Sequence, residues 1–154
     1  MDVVRQLSLS GLSGDSSRKT LQGLTDDEMD ALVLEQVTGL TTLKNTSFKR
    51  VDQVVVSRSS VQALDLSGTQ MTALNVPSNR DLRSLAISSG ALKQVWITSN
   101  PLLSELSWSP GLTVRNLRVE SNSALSSCLV QQLVEQTDAG RPRMEFIRNN
   151  GPCP

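Results

Sequence analysis

Few side chains in this sequence can do chemistry by themselves. Histidine is absent. That removes the ordinary general base near neutral pH, the Ser-His-Asp and Cys-His pairs, and any histidine-bearing zinc site. Two cysteines, Cys128 and Cys153, are too few for a four-cysteine metal site. The densest charge cluster is Asp26-Asp27-Glu28-Asp30. A calcium loop needs ordered ligand spacing and a turn glycine, and the run has neither. It reads as a solvated turn, or as the first turn of a helix after Thr25. Arg141-x-Arg143 and Arg148 form a basic end offset by Glu145, with too few charges for a nucleic-acid footprint. Gly11-Leu12-Ser13-Gly14 is followed by no Gly-Lys-Ser/Thr and so is no phosphate loop. No metal and no cofactor is expected.

The balance of the chain points the same way. Its 154 residues suit one domain, and 15 basic against 15 acidic residues give a formal net charge of +0. Such a chain has no global pull toward nucleic acid or an anionic membrane. No run of about 18 apolar residues exists, so no membrane span is expected. The start, Met1-Asp2-Val3-Val4-Arg5, is not a signal peptide, and Met1 reads as a start added to an excised domain.

Low aromatic content with abundant Leu, Val and Ser directs attention to internal repeats. One pattern recurs six times: Val4-x-x-Leu7-x-Leu9, Met29-x-x-Leu32-x-Leu34, Val51-x-x-Val54-x-Val56, Met71-x-x-Leu74-x-Val76, Leu92-x-x-Val95-x-Ile97 and Val114-x-x-Leu117-x-Val119. The starts are 25, 22, 20, 21 and 22 residues apart. The last three copies each reach an asparagine preceded by serine: Ser78-Asn79, Ser99-Asn100 and Ser121-Asn122. Leu12, Val37 and Ser59 stand at the equivalent place in the first three. A second series is interleaved: Leu21-x-x-Leu24, Leu40-x-x-Leu43, Val61-x-x-Leu64-x-Leu66, Leu82-x-x-Leu85-x-Ile87 and Leu103-x-x-Leu106-x-Trp108. Leu125 would open its next member.

Each apolar-x-apolar triplet is a short strand with alternate side chains buried. A coil cannot bury its apolar face alone, so coils stack and equivalent residues become ladders about 4.8 Å apart. The expected fold is a mainly β solenoid of about six coils of 20–22 residues, right-handed, with two parallel sheets. Leu32, Val54, Leu74, Val95 and Leu117 should line one inner ladder, and Leu64, Leu85 and Leu106 the other. Trp108 falls at an inward, core position, and Phe48 and Phe146 at core or cap positions. Buried asparagines would serve backbone groups where the chain turns.

Alternation also fixes what points out. In the first series this row is Ser8, Val33, Val55, Asn75, Trp96 and Arg118. Trp96 and Arg118 would then form a cation–π pair. Gln53, Gln94, Asn116, Thr98 and Glu120 flank them. An apolar and aromatic row rimmed by amides suits protein or glycan binding, with Trp96, Arg118, Asn75, Val55, Gln94 and Asn116 as the binding residues. The outward carboxylates Glu35, Asp65, Glu105 and Glu120 do not fall in adjacent coils of one row, which argues against a carboxylate-dependent hydrolase.

The unit Leu92-x-x-Val95-x-Ile97-x-x-Asn100 resembles the conserved segment of a leucine-rich repeat. The period of about 21 residues with two strands per coil is closer to the receptor L-domain type. The tail Asn122-x-x-Leu125-x-x-Cys128, with Leu129-Val130-Gln131-Gln132-Leu133-Val134 and Asn149-Asn150-Gly151-Pro152-Cys153, is similar to the closing repeat of bacterial cell-surface proteins of this kind. There the last coil runs into a short helix and ends at a second cysteine. The resemblance implies adhesion or recognition. Residues 1–126 would be repeat coils and 127–154 a C-terminal cap, in one solenoid domain.

In that cap Ser126 or Ser127 would start a helix from about Cys128 to Thr137, with Leu129, Val130, Leu133 and Val134 as its apolar stripe and Gly140 as its stop. Met144-x-Phe146 would be the final strand. Cys128 and Cys153 bracket this segment. A disulfide between them is expected, because it closes a cap that otherwise has little core, and it would place the protein in an oxidising compartment; two unpaired buried thiols would suit a cytosolic one. The N-terminal coil has no comparable cap, so its edge should meet a neighbouring domain, a partner or a second copy. Gly14–Lys19 reads as an inserted surface loop.

These features lead to an expected non-catalytic recognition or adhesion module of a secreted or cell-surface protein. The alternative is a spacer stacked between domains.

Overall fold

A computed structural model describes residues 6–10, 28–38, 42–44, 50–88, 90–136, 147–148 and 150–153. Seven strands form one parallel sheet: β1 (Gln6–Ser10), β2 (Glu28–Glu35), β4 (Arg50–Ser57), β6 (Gln70–Pro77), β8 (Ala91–Thr98), β10 (Thr113–Glu120) and β11 (Ile147–Arg148), in that spatial order. Four shorter strands form the second parallel sheet: β3 (Thr42–Lys44), β5 (Ala63–Leu66), β7 (Ser84–Ile87) and β9 (Glu105–Trp108). From β2 to β10 the chain alternates between the sheets, so this is a β-solenoid closed by one helix, α1 (Ser127–Gln136). That helix is not long and apolar enough to cross a membrane.

The ladders follow the alternation of the sequence. Leu32 pairs with Val54, Val54 with Leu74, Leu74 with Val95 and Val95 with Leu117, and all five are buried. Leu64, Leu85 and Leu106 are likewise in register and buried. The strands that carry these residues turn their apolar alternates inward, and a slip of one residue would expose the whole set.

The count of coils differs from the expected six. All six copies of the first series do place a strand in the larger sheet. A full turn needs a strand in both sheets, however, and among the described residues only four turns have one. Leu125, where another member of the second series would open, is buried beneath the start of α1 instead. The acidic run differs as well. Glu28 and Asp30 lie in β2 rather than in a helix, because Met29 between them pairs with Val51 of β4. Asp26, Asp27, Phe48, Gly14–Lys19, Gly140, Arg141, Arg143 and Met144–Phe146 fall outside the described residues. The closing strand that is described, β11, pairs Ile147 with Val119 and Glu120 with Arg148.

The cap forms as its sequence suggests. Ser126 Oγ accepts the N–H of Cys128 at 3.2 Å, and Ser126 O accepts that of Val130 at 3.1 Å. The hydroxyl thereby satisfies a donor that the first helical turn leaves free. Val130 and Leu133 are buried, with Leu129 and Val134 packed partly against the core. Cys128 and Cys153 form a disulfide with Cα atoms 5.1 Å apart.

Candidate functional site

Two surfaces of the stack carry unspent chemistry: the outer face of the larger sheet and the corner that follows it. The outer row assembles in the register that alternation demands. Ser8 pairs with Val33, Val33 with Val55, Val55 with Asn75, Asn75 with Trp96 and Trp96 with Arg118. Arg118 lies over the Trp96 ring at 5.6 Å from its centroid. This is a cation–π distance, and the Arg118 Nε also pairs with Glu120 Oε1 at 3.2 Å. Trp96 is therefore half-buried, sheltered by its own neighbour, as are Val33, Val55 and Asn75.

Beside this row runs a second one: Ala31, Gln53, Ala73, Gln94 and Asn116, each paired to the next. Gln53 and Asn116 are exposed and Gln94 is half-buried. Asn116 Nδ2 donates to Lys93 O at 3.2 Å. The six residues singled out from the sequence thus sit on one face. Four form a line and two lie alongside. The line itself is uncharged from Val33 to Trp96, with its one cation at the Arg118 end.

Trp108 departs from its expected place in the core. It occupies the inward position of β9, opposite Ile87, but is only partly buried. β9 is the last strand of the smaller sheet, so no further coil packs on its outer side. Helix α1 covers it in part, and Trp108 Nε1 donates to Gln136 Oε1 at 2.9 Å.

The carboxylates do not converge. Asp65 and Glu105 share the smaller sheet but lie on β5 and β9, with β7 between them. Asp65 is committed to its turn, where it accepts the Ser67 N–H at 3.0 Å and the Ser67 hydroxyl at 2.6 Å. Glu35 is paired with Arg58 at 2.7 Å.

At the corner after each of β2, β4, β6, β8 and β10 the backbone turns through the left-handed region. Gln36, Arg58, Ser78, Ser99 and Ser121 have φ of 53°, 48°, 59°, 57° and 61°. The residue after each is buried: Val37, Ser59, Asn79, Asn100 and Asn122. These make a continuous hydrogen-bonded ladder. Asn79 Oδ1 accepts the Ser59 N–H at 3.1 Å, Asn100 Oδ1 accepts Asn79 N–H at 3.0 Å, and Asn122 Oδ1 accepts Asn100 N–H at 3.0 Å. Each Nδ2 donates back to the preceding coil, to Val56 O, Val76 O and Ile97 O respectively. The asparagines are structural, as their spacing suggests.

Two rungs were not legible from the asparagine pattern. Asn150 Oδ1 accepts the Asn122 N–H at 3.3 Å, and Ser59 Oγ accepts that of Val37, also at 3.3 Å. A groove of about 700 Å³ follows this corner along the stack.

No family model matches the chain, and neither a curated protein nor a solved structure is significantly similar to it.

Proposed function

We propose that this chain is a non-catalytic recognition or adhesion module of a secreted or cell-surface protein, and that it docks a protein partner on the outer face of the larger sheet around Trp96. The observation that carries the reading is the register of Val33, Val55, Asn75, Trp96 and Arg118 in one line across five strands. Interfaces are enriched in Trp and Arg at their centres and depleted in other charge, and this line has that composition. The amide row alongside supplies a hydrogen-bonding rim.

The solenoid is of the receptor L-domain kind in this reading. It winds right-handed, as about 98% of parallel crossovers do. Extracellular placement rests on the Cys128–Cys153 disulfide, a bond that persists in oxidising compartments. A non-catalytic role is supported by the commitment of Asp65 and Glu35 to turn and ion pair, away from any shared site.

The test is a binding screen of the immobilised chain against a panel of extracellular proteins, run in parallel with Trp96→Ala and Asn75→Arg. Interactions lost in both variants, with melting little changed, support the sheet face. Wild type and variants binding the same set, or none binding anything, favours the spacer reading.

A further inference from the structure

We propose that the corner groove is a second, separate binding site, and that it takes an unbranched neutral glycan lying along the stack. Three serines carry the argument. Ser78, Ser99 and Ser121 stand at equivalent places in successive coils with φ near 60°, and all three are exposed. The corner requires that left-handed backbone. Glycine or asparagine meets it at lower cost than serine. The hydroxyls do not repay the cost within the chain, because none of the three bonds to another described residue; only the backbone N–H groups of Ser78 and Ser99 are used. They line the groove as a column with a repeat of about 4.8 Å.

The rest of the lining selects the class of ligand. Arg80 and Asp81 are adjacent, exposed and in no ion pair among the described residues. Together they cancel in charge, and the third charged side chain of the lining, Arg58, is paired with Glu35 at 2.7 Å, which disfavours an anion or a cation as ligand. They do offer donors and acceptors side by side, the arrangement that grips neighbouring hydroxyls. Pro101, exposed on the same wall, gives an apolar patch for the C–H face of a sugar ring. The groove reaches from Thr38 to Ser121 across four coil steps, roughly 19 Å at the strand spacing. An extended polyhydroxylated chain matches a straight column of hydroxyls of that length, and a compact ligand would use only part of it.

The experiment is a titration of the folded chain with neutral linear cello-, laminari- and manno-oligosaccharides of two to six sugars, followed by amide chemical shifts. At least one series should bind more tightly as it lengthens, and the shifts should run along Ser78, Ser99 and Ser121. The triple variant Ser78→Gly, Ser99→Gly, Ser121→Gly removes the hydroxyls while easing the backbone, so it should melt no earlier than wild type. It should nevertheless bind about tenfold more weakly or worse, as should Arg80→Ala, since each loses bonds to sugar hydroxyls. Trp96→Ala should bind as wild type does, so failure here is distinguishable from failure of the sheet-face reading. No binding in any series overturns the proposal. So does binding that survives in the triple variant or that Trp96→Ala abolishes.

Discussion

Asn100 Oδ1 lies 3.0 Å from the backbone nitrogen of Asn79, one coil earlier, and accepts its hydrogen. The same amide group donates from Nδ2 to Val76 O at 2.9 Å and Thr98 O at 3.1 Å. One side chain thereby fastens two coils at a corner where strand pairing has ended. The bonds to Asn79 and Val76 are buried, so water cannot replace either if it is lost.

Asn100→Ala is therefore expected to cost about 2–4 kcal/mol, the penalty for leaving at least one buried amide group without a partner together with a small cavity. Urea unfolding should show a lower midpoint. A loss below about 0.5 kcal/mol would mean that water or a neighbouring group fills the gap.

Asn100→Asp makes the same point through pH. It keeps an oxygen for the Asn79 N–H but turns a second oxygen toward the Val76 and Thr98 carbonyls, where Nδ2 had donated. Burial and those carbonyls both disfavour the ionised form, so the folded pKa should lie above the unfolded value of about 3.9. The sign follows from linkage. The variant should come closest to the parent below about pH 4 and lose stability as pH rises through the folded pKa. Thermal melts of variant and parent from acid to neutral pH would show the gap widening, and a constant gap would refute it.

Much of the architecture was legible because it is periodic. The triplets around Val54, Leu74 and Val95 set the inward faces, and the same alternation placed Trp96 beside Arg118 without any long-range information. Legibility stopped where the period did. Asn150 stands 28 residues after Asn122, beyond a helix that breaks the spacing, so its place as the last rung had no periodic signal. Ser59 joined the ladder through a hydroxyl where a search for amides would pass over it. Trp108 fits the inward pattern of β9, but a pattern along one strand does not reveal that no coil follows on its far side. The corner groove is likewise a product of stacking: its hydroxyl column joins residues about 21 apart, which single-coil reading takes as separate turns.

The two tryptophans should respond differently to truncation. Trp108→Ala removes partly buried packing on the core and the bond to Gln136, and is expected to cost about 2–3 kcal/mol, less than the 3–5 typical of a fully buried aromatic. Trp96→Ala removes an outward ring that packs mainly under Arg118, for about 1 kcal/mol. Paired melting scans check the order. If Trp96→Ala melts as early as Trp108→Ala, Trp96 is a structural residue and the proposed docking face loses its anchor.

Reduction of the disulfide should act locally. Both cysteines are exposed, and the bridge spans a separation of 25 residues that includes α1 and β11. On the chain-entropy model a loop of that size contributes about 3–4 kcal/mol. Hydrogen exchange with and without reductant should show Ser127–Gln136 and Ile147–Arg148 losing protection first, while β4, β6 and β8 change little. Uniform loss across the stack would instead mean that cap and coils unfold as one unit.

Gly151 sets how tightly that cap can close. Its N–H donates to Leu125 O at 2.6 Å and its carbonyl accepts the Ser127 N–H at 3.0 Å. A Cβ there would stand 2.5 Å from Ser123 O and 2.9 Å from Leu125 O. Both are backbone atoms of the turn that carries Asn122 into α1, and neither can swing aside as a side-chain end would. Gly151→Ala must therefore displace the segment, and with it Asn150, whose Oδ1 accepts the Asn122 N–H and whose Nδ2 donates to Val119 O at 2.9 Å. The expected cost is about 2–3 kcal/mol, in the range for forcing an extra methyl into a packed site. Because glycine acts here by seating its neighbour, the costs of Gly151→Ala and Asn150→Ala should not add. The double variant should be less destabilised than the sum of the singles by about 1 kcal/mol or more. Chemical denaturation of the four proteins measures that coupling, and additive losses would show that Gly151 and the last rung of the ladder act independently.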